Sequence, residues 1–271
     1  MQYDSPGCVP APSPANSAAD SSAAAGTGTA PSPTGEDGHA RQVSGMFGRI
    51  AHWYDFLNHL LSGGLDYYWR QQLVRALVPG PTRRVLDLAA GTMDVSLEIL
   101  RQHPGTLIPA LDYCHPMLVA GMPKLASKGR HALILPAQAD GRALPLPDAS
   151  VDCATIAFGI RNIVPREAAL RELHRVLVPG GRLCILEFGT GKVPVWKGLY
   201  NWYLNSVLPG IGKVFSGDGD AYRYLADTIM AFPTADELVQ ELLDAGFARA
   251  YHKPMTSGIV YLHVAEKQRS S

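Results

Sequence analysis

The sequence predicts an α/β protein, a doubly wound, open, seven-stranded mixed sheet that ends in an antiparallel β-hairpin. Three observations point there. From about residue 83, short apolar runs alternate with segments of helical periodicity, the pattern of successive βα units. Acids stand at the ends of those runs: Asp87 in the first, Asp112 ending the second and Asp140 just beyond the third. A doubly wound sheet binds its ligands at that edge. The last two runs, near 248–254 and 258–266, are close enough in sequence to pair antiparallel.

Each element has its own local cause. Val85-Leu86-Asp87-Leu88 is a short strand, Gly91 turns the chain, and Asp94 to Arg101 has helical character. Leu107 to Asp112 is the second strand, followed by a helix from about Pro116 to Lys124 and a strand at Ala132 to Pro136. Val151 to Phe158 is the fourth strand. The next helix begins after Pro165, a residue suited to the first turn. It carries Leu170, Leu173, Val176 and Leu177 on one face and stops at Pro179-Gly180-Gly181. Arg182 to Phe188 is apolar on both alternations, as a strand covered on both faces must be. Thr234 to Ala245 is the last helix, ended by Gly246.

Composition sets the outer bounds. The chain has 271 residues, 46% of them apolar, and contains no run of about 18 apolar residues that would span a bilayer. Its 24 basic and 24 acidic groups cancel, which argues against a nucleic-acid partner held by phosphate neutralisation. The first 40 residues stand apart: Ala, Ser, Pro and Gly fill 26 of them, and no Lys or Arg precedes Arg41. Such a stretch buries too little apolar surface to offset its ordering entropy, so residues 1–42 are expected to form a disordered tail ahead of a domain over 43–271. It has neither the basic start and apolar core of a secretory signal nor the arginines of a mitochondrial presequence. Four acids lie in the tail, which leaves 24 − 20 = +4 on the folded part. That charge is compatible with an anionic cofactor or with peripheral contact at a membrane surface. Cys8, Cys114, Cys153 and Cys184 are scattered, as buried thiols in a reducing cytoplasm would be, and no His/Cys spacing suits a metal.

The first strand-to-helix turn is Asp87-Leu-Ala-Ala-Gly91-Thr92-Met93-Asp94. A dinucleotide site calls for G-x-G-x-x-G, whereas here Gly91 stands alone and an acid sits in the strand. An acid repels a pyrophosphate but tolerates S-adenosylmethionine, which carries an ammonium and a sulfonium. Asp112, 25 residues after Asp87, suits the ribose hydroxyls. Asp87, Gly91 and Asp112 together therefore favour adenosylmethionine over a dinucleotide, with a hydride-transferring oxidoreductase as a distant alternative.

These stretches resemble the class I methyltransferases, and more narrowly the quinone-biosynthesis C-methyltransferases, the demethylmenaquinone and 2-polyprenyl-6-methoxybenzoquinol methylases. The resemblance covers about residues 44–266. It rests on Phe47-Gly-Arg-Ile-Ala-His-Trp-Tyr54-Asp55-Phe-Leu-Asn58, on Asp112 through Met117 and Leu118, and on Ala143-Leu-Pro-Leu-Pro-Asp148. Phe158-Gly-Ile-Arg161-Asn162 and Tyr222-Arg-Tyr-Leu225 are its most specific parts. It implies a Rossmann-like methyltransferase domain whose cofactor meets Thr92, Asp112 and Met117, with Asp140 and Gly141 beside the adenine. Ala157 takes a cofactor-contact position usually held by Ser. Met93 departs further, since the family has Gly there; where that position needs positive φ or close ligand approach, Met strains or crowds the pocket by roughly 1–3 kcal/mol.

The substrate implied is a polyprenyl naphthoquinol, demethylmenaquinol being converted to menaquinol. The benzoquinol of ubiquinone synthesis is the alternative, and a non-catalytic, methyltransferase-like binding protein is the reading that Met93 and Ala157 would favour. Independently, 16 of the 22 aromatic residues fall in 47–69 and 188–232, which suits a helical cap over 43–80 and a lid over 189–231 for a flat ring with a greasy tail. A quinol carbon becomes nucleophilic as a hydroxyl ionises, and lowering a phenol from pKa ~10 to neutrality takes about 4 kcal/mol. A guanidinium in a water-poor pocket supplies that, and Arg161 is the candidate, with Tyr54 and Asp55 as helpers. Arginine is too basic to accept the proton itself.

Overall fold

Strands β1 (Val85–Leu88), β2 (Ile108–Asp112), β3 (Ile134–Gln138), β4 (Val151–Ala157), β5 (Leu177–Phe188), β6 (Arg249–Met255) and β7 (Val260–Glu266) form one sheet. Its order is β3-β2-β1-β4-β5-β7-β6. β1 to β5 are parallel, and β7 is antiparallel to both β5 and β6. The computed structural model describes residues 36–52, 54–80, 83–127, 132–189, 224 and 227–269. The expected tail up to residue 35 and nearly all of the expected lid, 190–223, lie outside them.

Helices α1 (Glu36–Ile50), α2 (Tyr54–Leu61) and α3 (Leu65–Arg75) precede the sheet. α4 (Asp94–Gln102), α5 (His115–Ser127) and α6 (Arg166–Val176) connect its strands, and α7 (Ala235–Asp244) precedes the hairpin. Alternation along the strands assigns the two faces. Val85, Ile108, Ala110, Cys153 and Leu186 pack with Leu73, Ile99 and Leu118 of α3, α4 and α5. Leu86, Leu88, Ala154, Ile156 and Ile185 pack with Leu170, Leu173, Leu238 and Leu242 of α6 and α7. Thr234 starts α7 with a capping box, its hydroxyl accepting from Glu237 N–H while the Glu237 carboxylate accepts from Thr234 N–H.

The chain winds outward from β1 to β3 and then returns to start β4 on the other side of β1. This reversal opens a crevice at the carboxyl ends of β1 and β4, where α/β sheets take their ligands. β3 lies two residues later than expected, at Ile134–Gln138, and two boundaries differ more. β5 starts at Leu177, because Leu177 pairs with Val151 ahead of the Gly180-Gly181 irregularity. α1 starts at Glu36, within the stretch assigned to the tail, since Val43 and Met46 share one face and are buried. Among the described residues no helix is long and apolar enough to cross a membrane.

Candidate active site and cofactor cleft

The turn after β1 is built from left-handed backbone. Ala89, Gly91 and Met93 have φ of 55°, 54° and 66°. Alternating positive φ folds the turn back tightly and aims the Gly91 N–H at Asp112 Oδ2, 2.7 Å away. Asp112 Oδ1 accepts from Cys114 N–H, also at 2.7 Å. Burial pushes the Asp112 carboxyl up, and the two backbone donors pull it back. One donor per oxygen fixes the carboxylate and leaves lone pairs for two further hydroxyls, the requirement of a ribose diol.

A cleft of about 820 Å³, measured out to solvent, opens in front of this carboxylate. Leu88, Met117 and Ile163 supply apolar wall, and Asp140 and Gly141 also line it. At Gly141 a Cβ would come within 3.1 Å of Ile163 Cδ1 and 3.3 Å of Leu88 Cδ2, so the bare backbone keeps that wall open. Asp140 is gripped by Arg142, whose Nη2 is 2.7 Å from Oδ2, and this hydrogen-bonded guanidinium holds its carboxyl below the usual range. Arg142 is the one Lys or Arg among the described residues bordering the cleft, and Asp140 neutralises it. The cleft therefore suits an uncharged nucleoside with a cationic tail better than a pyrophosphate.

Beyond β4 the polar chemistry changes. Arg161 Nη1 donates to Glu187 Oε1 at 2.6 Å and to Phe158 O at 2.7 Å, with the guanidinium over the Phe188 ring. The two side chains are 5% and 1% exposed, a buried ion pair. Arg161 itself does not border the cleft, but its neighbours Phe158, Gly159 and Asn162 do. Its charge is felt at the half-buried Tyr54, whose phenol burial raises and Arg161 pulls back.

The profile of the ubiE/COQ5 methyltransferase family matches residues 36–267. The chain belongs to that family. Among its relatives, the ubiquinone/menaquinone biosynthesis C-methyltransferase UbiE of Syntrophotalea carbinolica is 45% identical over 219 residues, covering 80% of this chain and 91% of that one. The demethylmenaquinone methyltransferase of Thermus thermophilus is 40% identical over 222 residues, 82% of this chain and all of that one. Solved structures agree at the level of fold. A SAM-dependent methyltransferase from Aquifex aeolicus aligns with TM-score 0.53 at 17% identity over 73% of this chain and 88% of that one. An N-methyltransferase of Haemonchus contortus, bound to S-adenosylhomocysteine, gives 0.63 at 13% over 84% and 60%. As a ubiE/COQ5 protein the chain is a methyltransferase that uses S-adenosylmethionine.

Of the residues the sequence nominates, Tyr54, Gly91, Asp112, Met117, Asp140, Gly141 and Ala157 border the cleft. Asp87, Thr92, Asp55 and Arg161 do not. Asp87 is buried between Ser96 Oγ of α4, 2.5 Å away, and Thr155 Oγ1 of β4, at 3.0 Å, and burial drives its carboxyl up to about 6. It ties β1, β4 and α4 together beneath the turn. Thr92 gives its hydroxyl to Asp55, whose other oxygen takes Lys124 Nζ at 2.7 Å; Lys124 also reaches Asp94 at 2.6 Å. Asp55 thus fastens α2 to the turn and to α5.

Met93 has the expected positive φ but does not crowd the cleft. Its side chain is fully buried in the core, against Gly121 of α5. A Cβ at Gly121 would stand 2.7 Å from Met93 Cε and 2.6 Å from Thr92 O, so a glycine on α5 makes room for this methionine. Gly159 plays the same part for Ala89, whose Cβ would be 2.4 Å from a Cβ there.

Two contributions to the site were not read from the sequence: the place of the start of the expected cap in the cleft wall, and Glu187. Helix α1 walls the cleft through Val43, Ser44 and Phe47, with Cys114 Sγ donating to Ser44 O at 3.3 Å. Its signal was the apolar triplet Val43, Met46, Phe47 at helical spacing. Glu187 was signalled by being the one acid in the apolar run 183–188.

Proposed function

We propose that this methyltransferase acts on a ring carbon of a polyprenyl naphthoquinol, converting demethylmenaquinol to menaquinol. The observation that carries the reading is the guanidinium of Arg161 in a dry setting one residue behind the cleft wall, the place for a charge that stabilises a quinol oxyanion. The relatives support a quinone-type substrate, and the Thermus thermophilus relative supports the naphthoquinol ring. Asp112 would take the cofactor's ribose hydroxyls, Asp140 with Gly141 would flank its adenine, and Met117 and Ala157 would line its course. The cofactor supplies a methyl group on a sulfonium, and the protein's part is to bind, align and exclude water. The aromatic-rich segment 189–231 is our candidate for the cover over the ring, and the helices of 43–80 for the cap. Specificity constants for short-chain naphthoquinol and benzoquinol, measured under reducing conditions, test the ring assignment. The naphthoquinol should be favoured at least tenfold, and the reverse preference would move the chain to the ubiquinone branch.

A polyprenyl tail keeps the substrate in a bilayer, so peripheral membrane contact belongs to the same reading. Phe56, Leu60, Leu65, Tyr67 and Tyr68 are all exposed on α2 and α3, next to Tyr54 in the cleft wall. Aromatic and apolar groups of this kind suit the interface. The protein should sediment with anionic lipid vesicles, and Phe56→Ser with Tyr67→Ser should weaken that while leaving cofactor affinity unchanged.

A further inference from the structure

The turn after β1 is held from three sides. Asp112 takes the Gly91 N–H in front, Asp87 ties β1 to α4 beneath, and Asp55 takes the Thr92 hydroxyl from the side of α2. A turn with left-handed φ at Ala89 and Met93 persists only where its surroundings over-determine it. Lys124 of α5 completes the third hold. Its ammonium meets Asp55 Oδ2 at 2.7 Å and, at 2.6 Å, Oδ1 of Asp94, the first residue of α4. Without it the two carboxylates would repel each other across the junction of α2 and the turn. Arg70 of α3 stands 3.8 Å from the other oxygen of Asp94 and 2.7 Å from Asp66 Oδ2, so the cluster runs on into the next helix.

Helix α2 reaches both ends of the cleft. Asp55 grips the turn, and the adjoining Tyr54 borders the cleft, its phenol close enough to feel both Arg161 and Asp112. The side chains of Lys124, Asp55 and Asp94 are 25%, 41% and 31% exposed, and ion pairs open to water add little to stability. What they supply is geometry: they fix where α2 stands relative to the turn. We propose that Lys124 is a positioning residue that couples the two sites. By clamping α2 to the turn, it makes binding of adenosylmethionine and binding of the quinol favour one another. The quinol half rests on the function proposed above. A cofactor that orders the turn fixes Thr92, Thr92 fixes Asp55, and Asp55 carries Tyr54 against the ring side of the cleft. Linkage makes the effect reciprocal, so a quinol that settles Tyr54 tightens the turn about the cofactor by the same factor. Lys124 does not border the cleft, so its loss acts through Asp55 and Asp94 alone.

S-adenosylhomocysteine lets the coupling be read as binding, since it has no methyl group to transfer. Calorimetry uses short-chain demethylmenaquinol, kept anaerobic with reductant. The wild-type protein should bind the quinol about fivefold more tightly when S-adenosylhomocysteine is saturating. In Lys124→Met that factor should fall to about one, with S-adenosylhomocysteine itself bound about tenfold more weakly, while the melting temperature moves by less than about 4 °C. Lys124→Arg keeps the charge and can bridge both acids, so it should restore most of the coupling. Wild-type coupling in Lys124→Met would overturn the proposal, and so would a wild-type protein whose quinol affinity ignores S-adenosylhomocysteine. A lower melting temperature with unchanged coupling would make Lys124 a brace for the fold alone, which overturns it as well. Should Lys124→Met not fold, Asp55→Asn takes its place. One amide oxygen cannot accept from both Thr92 and Lys124, so the coupling should again be lost, and unchanged coupling contradicts the clamp. Absence of quinol binding by the wild-type protein, with or without S-adenosylhomocysteine, would instead remove the quinol reading, and the S-adenosylhomocysteine affinity of Lys124→Met would still decide whether Lys124 holds the turn.

Discussion

The two halves of the crevice are built by opposite means. On the β1–β2 side the polar work is done by backbone: three left-handed residues, two N–H groups on Asp112, and glycines where neighbours touch. On the β4–β5 side it is done by one buried ion pair between residues 26 apart in sequence, Arg161 and Glu187. A nucleoside presents fixed hydroxyls and a flat ring, and a rigid backbone cradle matches a fixed shape. A reaction that moves charge needs side chains whose charge is already in place in a dry setting. The contrast teaches that strain and buried charge are spent on different tasks within one edge of the sheet.

The sharpest way to break this contrast is to remove one member of the pair. Arg161→Leu leaves Glu187 buried and unpaired and should cost about 3–5 kcal/mol in denaturant unfolding, whereas Arg161→Leu with Glu187→Leu should recover most of it. Both variants should lack methyl transfer, because stability returns and the charge does not. A double variant as unstable as the single one would show the two side chains to be independent.

Asp87 supplies the next largest effect, through pH. Its folded carboxyl sits at about 6, above its ordinary value of 3.8, so the folded state favours the protonated form. Its contribution to stability is then fully present below about pH 4 and is lost as pH rises to about 6, a swing of about 3 kcal/mol at 1.36 per unit. Comparison with Asp87→Asn isolates it from the other titrating groups: the wild type should lose that much ground against the variant between pH 4 and pH 7. A constant difference across that range would contradict the assignment.

On the cofactor side, Asp112→Asn should weaken adenosylmethionine binding about 100-fold in calorimetry, the value of charged hydrogen bonds to the ribose, while the melting temperature moves little. Met93→Gly makes the smallest change. Relief of left-handed strain, about 1–2 kcal/mol, is outweighed by the cavity left beside Gly121, so stability should fall by about 1–2 kcal/mol with cofactor affinity unchanged. Tighter cofactor binding in that variant would restore the crowding reading.

The same contrast explains what the sequence could reveal. The cradle was legible because its parts are local: strand, turn and acid fall within Asp87 to Asp94, and Asp112 follows one βα unit later. Asp87 and Asp112 look alike in sequence, both in the last two residues of a strand, but Asp87 faces α4 while Asp112 faces the cleft. Both point to the same face of the sheet, but Asp87 is level with Ala110, so Asp112 lies two residues further along, at the carboxyl edge, and only the register between the strands shows that. Arg161 was legible through a family resemblance, yet its partner was not, since nothing in the spacing links residue 161 to 187. The first turns of helix α1, before residue 43, were masked by the Ala- and Ser-rich stretch that runs into them.

The most direct measurement is the fate of a labelled methyl group. Purified protein, adenosylmethionine labelled in its methyl, and short-chain demethylmenaquinol are incubated anaerobically with reductant, and the product is mapped by NMR. The label should appear on the naphthoquinol ring carbon, with none on oxygen. Label on a quinol oxygen, or tight adenosylmethionine binding with no transfer to either quinol, would contradict the account.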